Sequence, residues 1–278
     1  MTAYINYLTI RLGSQQNFSQ FDHQIMTQTF EPTIATEPTV SRPGRGRTFA
    51  VSVGLLVLAL VAQTVVTIPA AMGYLALGGS LTSPSAATFV ILASLGQVVF
   101  LALGYLFVSH RLGGVRAAVP AVGQLKLVAI GSVLVLAVTI GGTAALAAVG
   151  LAAPDDAMLV VAESQPWILL AFAVLSLVLI GPAEELFFRG AVQGNLRAAF
   201  GPVTAIGLTS LLFGAVHVTG FLSAGVALSL AVVGSLSLNV LSAVVFGALY
   251  ERSGNLTVPV IVHGLTNAVG LTVVYLTL

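Results

Sequence analysis

The stretch Gly181-Pro-Ala-Glu-Glu-Leu-Phe-Phe-Arg-Gly190 decides the fold, because it places three charged residues at the end of a long apolar run. Charged residues make up only 7% of the chain, so this concentration needs a reason. On a helix, Glu185 and Arg189 are four residues apart and can form an ion pair. Glu184 is turned about 100° from Glu185 around that helix and lies outside the pair. An unpaired carboxylate near hydrocarbon is costly and by default suggests a functional site.

The composition of the chain predicts an all-α, polytopic membrane bundle. The 278 residues are 57% hydrophobic, and the mean hydropathy is +1.04. Soluble domains are usually about 45–50% apolar and about 25% charged. The formal net charge of +1 gives no basic surface for nucleic acid, so we expect the lipid bilayer and no nucleic acid as a partner. The absence of cysteine excludes disulfides, thiolate metal sites and cysteine nucleophiles.

Residues 1–48 form a polar tail that we expect to be disordered. Seven apolar runs follow this tail, and the length of each is near the ~20 residues needed to span a bilayer. The runs cover residues 49–77, 86–109, 127–149, 167–188, 203–218, 222–250 and 256–278. The sixth run is long and contains Gly234, Ser235 and Asn239, so it could divide and give an eighth span. We expect spans over residues 49–166 to act as a scaffold and residues 167–278 to form a catalytic core.

The positions of the basic residues predict the orientation of the spans. With a cytoplasmic N-terminus, the loops around Arg111, Arg197 and Arg252 all fall on the cytoplasmic side, and the acidic segment 155–163 falls on the other side. The sequence therefore predicts a multi-pass protein of the plasma membrane with its N-terminus inside.

The ionisable residues within the spans all lie in the second half of the chain: Glu184, Glu185, His217 and His263, with Arg189 at a span end. His263 and Asn267 are four apart, so they share a helix face and could donate two hydrogen bonds to one oxyanion. Taken alone, each histidine could equally be an interhelical packing group. By the predicted boundaries His217 lies at a different depth from Glu184, so the fifth helix must tilt or its boundaries must shift.

Together these residues are typical of a site that activates water. A carboxylate takes a proton from water, a histidine orients that water, and other donors hold the developing oxyanion. Two histidines and a carboxylate, here Glu184, His217 and His263, are also a set that binds catalytic Zn²⁺. The residues alone leave both chemistries open.

The chain resembles the CAAX-protease and bacteriocin-processing family of intramembrane endopeptidases at three motifs in order. These are Glu184-Glu185-x-x-x-Arg189, Phe213-x-x-x-His217 and His263-x-x-x-Asn267. The resemblance covers roughly residue 167 to the C-terminus. It implies that Glu184 activates the attacking water with His217, that Glu185 and Arg189 support the site, and that His263 and Asn267 serve the oxyanion.

The resemblance implies a peptide or protein substrate, with C-terminal CAAX-type processing as one version of the activity, and it leaves metal dependence open. From the basic residues that follow Glu184, we expect the substrate to reach the site from the cytoplasmic side. Two other functions fit the residues less well: a catalytically silent membrane scaffold and a proton-coupled transporter. Intact motifs disfavour the scaffold, and the lack of an internal repeat disfavours the transporter.

Overall fold

The computed structural model describes residues 43–80 and 84–278. In this part of the chain seven long helices form a bundle, and one short helix connects two of them. The helices are α1 (Arg45–Ala76), α2 (Ala86–Leu112), α3 (Val122–Ala148), the short α4 (Ala157–Ser164), α5 (Trp167–Ala199), α6 (Pro202–Ser223), α7 (Leu230–Ser253) and α8 (Thr257–Thr277).

The seven long helices are each long and apolar enough to cross a membrane, which confirms the predicted polytopic bundle. The predicted division of the sixth run does not occur, because α7 continues unbroken from Leu230 to Ser253. The break instead lies before α7, where Gly225 has a φ of 75° that favours glycine. Most of the tail predicted to be disordered, residues 1–42, lies outside the described residues. The last residues of the predicted tail belong to α1, which begins at Arg45.

The end predicted for the fourth run, at residue 188, is wrong, because α5 continues to Ala199. The polar residues beyond Phe188 do not form a loop. They lie four residues apart along one face of α5 and form hydrogen bonds with α7. Arg189 Nη2 donates to the Ala243 carbonyl at 3.1 Å, and Gln193 Nε2 donates to the Gly247 carbonyl at 3.3 Å. The longer helix puts Glu184 near the middle of α5 rather than at its end.

Helix α5 is the centre of the bundle and packs against α2 on one side and α8 on the other. The backbones of α5 and α8 approach closely at a glycine. A Cβ atom added to Gly264 would lie 2.7 Å from the carbonyl oxygen of Ser176, closer than real Cβ contacts come. Small residues allow such close helix contacts in membranes, and this one holds the preceding residue, His263, against α5.

Replacement of Gly264 by alanine is expected to destabilise the bundle by about 1–3 kcal/mol, because a backbone carbonyl cannot move aside as a flexible side chain could. The midpoint of thermal unfolding in detergent measures the effect. Gly270→Ala is the matched control, since it lies on the same helix with open space around its Cβ position. Equal midpoints for the two variants would contradict the close contact.

Candidate active site

Glu184 and Glu185 lie in a short α-helical stretch of α5, Gly181–Glu185, between two π-helical segments. These segments are Ser176–Ile180 and Leu186–Gln193. Departures from α-helical geometry of this kind occur often at functional sites. The Glu185 side chain is fully buried, whereas the Glu184 side chain keeps 12% of its surface exposed. The two adjacent carboxylates therefore have different environments and can have different roles.

Glu185 belongs to a buried ionic cluster with Arg189 and His263. Arg189 Nη1 lies 3.1 Å from Glu185 Oε1, which confirms the predicted pair, and both side chains are fully buried. The same Oε1 atom lies 2.8 Å from His263 Nδ1. Breaking a buried pair by removing one partner leaves an uncompensated charge, so this cluster fixes α5 and α8 relative to each other.

Aromatic rings surround the buried cluster. The Phe246 ring stacks on the His263 ring with centroids 4.8 Å apart and an angle of 11° between the planes. The Arg189 guanidinium carbon lies 4.9 Å from the Phe213 centroid and 5.2 Å from the Phe246 centroid, within the range of a cation–π contact. These contacts hold the guanidinium and the imidazole in place without water.

His263 connects the two carboxylates. A carboxylate oxygen accepts, so Nδ1 donates its proton to Glu185, and Nε2 points towards Glu184, with 3.8 Å between Nε2 and Glu184 Oε2. That distance is longer than a hydrogen bond. Nε2 is therefore the nitrogen of His263 that is left for chemistry.

Glu184 has a further partner that no sequence motif predicts. Gln97 on α2 donates from Nε2 to Glu184 Oε1 at 3.0 Å. The first half of the chain had been expected to act as scaffold, yet its second span contributes a side chain to the site. A single glutamine in an apolar run carries no motif, so only the packing of α2 on α5 could identify it.

His217 lies where α6 is interrupted, between α-helical segments that end at Val216 and resume at Val218. Its Nδ1 lies 2.8 Å from the Phe213 carbonyl oxygen. Since a carbonyl oxygen can only accept, Nδ1 carries the proton, and Nε2 of the neutral ring is left as an acceptor. Its ring also packs on the Phe213 ring, with centroids 4.6 Å apart.

A cavity of about 700 Å³ brings four of the predicted site residues together: Glu184, His217, His263 and Asn267. Gln97 lines the same cavity, whereas Glu185 and Arg189 lie behind His263 in the buried cluster. His217 and Glu184 line this cavity together, although the predicted boundaries put them at different depths. Both predicted boundaries shift, since α5 continues past residue 188 to Ala199 and α6 continues past residue 218 to Ser223.

The cavity extends from Glu184 towards one end of the bundle. There it is lined by Asp156, at the start of α4, and by Thr219 and Gly220, near the end of α6. Arg197 and Glu251, which pair at 2.9 Å, mark the opposite end of α5 and α7. The cavity thus reaches the end that carries the acidic segment, away from the arginine-rich end.

The three residues considered for zinc do not fit a metal site as they are arranged. Within residues 43–80 and 84–278, no three His, Cys, Asp or Glu side chains are close enough together to hold a metal ion. We therefore derive no step of the chemistry through a metal.

The fold and the site together define a multi-pass integral membrane protein with a carboxylate–histidine centre inside its helical bundle. Residues 166–269, which cover α5 to most of α8, match the family model described as Type II CAAX prenyl endopeptidase Rce1-like. The chain therefore carries a domain of this family, which is a family of peptidases. Comparisons with curated proteins and with solved structures gave no match.

Proposed function

We propose that the protein is an intramembrane endopeptidase that hydrolyses a peptide bond with water activated at Glu184. The observation that carries this proposal is the meeting of Glu184, His217 and His263 on the wall of one cavity inside the bundle. A carboxylate and two imidazoles within reach of a substrate-sized cavity supply the base and the donors that hydrolysis needs. The family match supports a peptide or protein as the substrate.

The activation of water is assigned to the oxygen of Glu184 that faces the cavity. Oε1 already accepts from Gln97, so Oε2 is the atom that takes the proton from water. His217 can accept the second hydrogen of that water at Nε2, because its Nδ1–H is donated to Phe213. The resulting hydroxide adds to the substrate carbonyl carbon, and Glu184 then gives its proton to the leaving nitrogen.

The developing oxyanion is assigned to His263 and Asn267 on α8. With Nδ1–H donated to Glu185, His263 can donate from Nε2 only as the imidazolium, which carries a proton on both nitrogens. Both ring nitrogens face a carboxylate oxygen, Nδ1 at 2.8 Å from Glu185 Oε1 and Nε2 at 3.8 Å from Glu184 Oε2. Asn267 lies one turn further along α8 and supplies the second donor from its amide. Glu185 and Arg189 hold the imidazole without touching the substrate.

A purified-protein cleavage assay tests the proposed function. Detergent-solubilised protein is incubated with an internally quenched peptide library, with and without a strong chelator, and the products are identified by mass spectrometry. We expect two fragments and a rate that the chelator leaves unchanged. Absence of any cleavage by correctly folded protein would support the silent-scaffold alternative, and a chelator-sensitive rate restored by zinc would overturn the proposed base.

Three further properties are proposed: the membrane that holds the protein, the type of processing that it performs and the side from which the substrate enters. The plasma membrane remains the proposal drawn from the sequence, and CAAX-type C-terminal processing remains the proposal drawn from the resemblance. Access of the substrate from the cytoplasmic side remains a prediction. It was based on the closeness of Glu184 to the basic residues that follow it, whereas Glu184 lies near the middle of α5. The lining of the cavity favours entry from the end that carries Asp156 and Gly220.

Cysteine labelling is expected to locate the mouth of the cavity, and the cysteine-free chain makes single-cysteine variants clean probes. Thr219→Cys lies at the proposed mouth, and Arg252→Cys lies at the opposite end of the bundle. If the arginine-rich end is cytoplasmic, a membrane-impermeant thiol reagent added to intact cells labels Thr219→Cys and leaves Arg252→Cys unlabelled. A peptide substrate then slows labelling of Thr219→Cys. Labelling of Arg252→Cys alone would place the end with Thr219 in the cytoplasm and would restore cytoplasmic access.

A further inference from the structure

Gln97 contacts the proposed catalytic base although it lies outside the region that matches the peptidase family, residues 166–269. Its Nε2 atom is 3.0 Å from Glu184 Oε1, within hydrogen-bond distance. The other amide atom, Oε1, is buried and has no hydrogen-bond partner among the described residues. The one bond that holds this amide is therefore the bond to Glu184.

The bond makes the two oxygens of Glu184 unequal. Gln97 occupies Oε1, whereas Oε2 lies 3.8 Å from His263 Nε2. An amide N–H that donates to one carboxylate oxygen limits the rotation of the carboxylate and leaves the other oxygen to accept a proton from water.

Helix α2, which carries Gln97, packs between α1 and α5. At the preceding residue, Gly96, the amide of Gln63 on α1 lies close to the α2 backbone, so that an added Cβ atom would be 2.8 Å from the Gln63 amide carbon. Gln97 thus reaches Glu184 from a helix that belongs to the first half of the chain.

We propose that Gln97 is a positioning residue of the peptidase, which orients the Glu184 carboxylate so that Oε2 is presented to the attacking water. This inference rests on the proposed function. It makes the second span part of the active site, so that the region matched to the family is incomplete without α2.

The test compares full-length Gln97→Met and wild-type protein in the peptide cleavage assay. Methionine keeps the length of the side chain but cannot donate a hydrogen bond. A hydrogen bond to a charged group is typically strong enough that we expect kcat to fall about 10- to 100-fold, with KM nearly unchanged. Gln63→Met is the comparison variant, because Gln63 lines the cavity from α1, and we expect a much smaller fall in its kcat.

The split between kcat and KM separates positioning from packing. A residue that only orients the base changes kcat and leaves KM nearly unchanged, because the peptide still binds to the cavity. A purely structural role would change both constants, since it would distort the cavity that binds the peptide.

A second variant keeps the proposal testable if Gln97→Met does not fold. Gln97→Glu preserves size and polarity but places a carboxylate instead of a donor beside Glu184, so kcat should fall with KM again nearly unchanged. A kcat within about twofold of wild type in a folded variant, or a change confined to KM, would overturn the role of Gln97. Failure of the wild-type protein to cleave any peptide would instead overturn the proposed function.

Discussion

Glu184→Gln is expected to lower the rate of peptide cleavage by about 100- to 10,000-fold, the range that general-base catalysis usually contributes. The glutamine has the same shape but cannot take a proton from water. The bond to Gln97 can be kept, because the new side chain still offers an oxygen to Gln97 Nε2. The initial rate of cleavage at saturating peptide measures the effect, and the thermal unfolding midpoint shows that the variant is folded.

The matched control for this prediction is Glu163→Gln, which makes the same chemical change at an exposed residue of α4. Its cleavage rate should equal that of the wild type, because it touches neither the cavity nor the buried cluster. A Glu184→Gln protein that is folded and cleaves at the wild-type rate would show that another group activates the water.

Arg189→Met is expected to destabilise the folded protein by about 3–5 kcal/mol, since it removes the buried guanidinium that pairs with the Glu185 carboxylate. The Arg189 and Glu185 side chains are both fully buried, so water cannot compensate for the lost charge. The variant also loses the bond to the Ala243 carbonyl and the contacts with Phe213 and Phe246. Denaturant-induced unfolding in a fixed detergent measures the difference in free energy.

Two comparisons test whether the lost charge is the cause. Arg197→Met removes an arginine from the same helix, but Arg197 is 43% exposed, so loss of its pair with Glu251 should change stability by less than about 1 kcal/mol. The double variant Glu185→Gln with Arg189→Met removes both charges and should be more stable than Arg189→Met alone. Equal destabilisation by Arg189→Met and Arg197→Met would contradict the buried ion pair.

The sequence predicted the bundle well because hydrophobic length is a strong signal in membrane proteins. It also identified the pairing of Glu185 with Arg189, which depends only on helical spacing. The end of α5 was missed for a physical reason. Gln193 and Arg197 look like loop residues, but they bond across to α7, and that partner helix is distant in sequence.

Four of the residues that the sequence singled out line one cavity, but the sequence predicted their arrangement only in part. Spacing along α8 indicated that His263 and Asn267 share a face. It could not indicate that His263 Nδ1 donates to Glu185, because that contact joins α5 to α8. Gln97 was missed altogether, since its role comes from the packing of α2 against α5 rather than from any local pattern. Contacts between helices thus account for what the sequence did not show.

The most direct test of the central claim is a single-turnover reaction in H₂¹⁸O with excess protein over a defined peptide. Direct attack by water activated at Glu184 predicts one ¹⁸O atom in the new carboxylate of the product. It also predicts no label in the protein fragment that contains Glu184. Recovery of ¹⁸O in Glu184 would show that this side chain attacks the substrate as a nucleophile, which would contradict its role as the base.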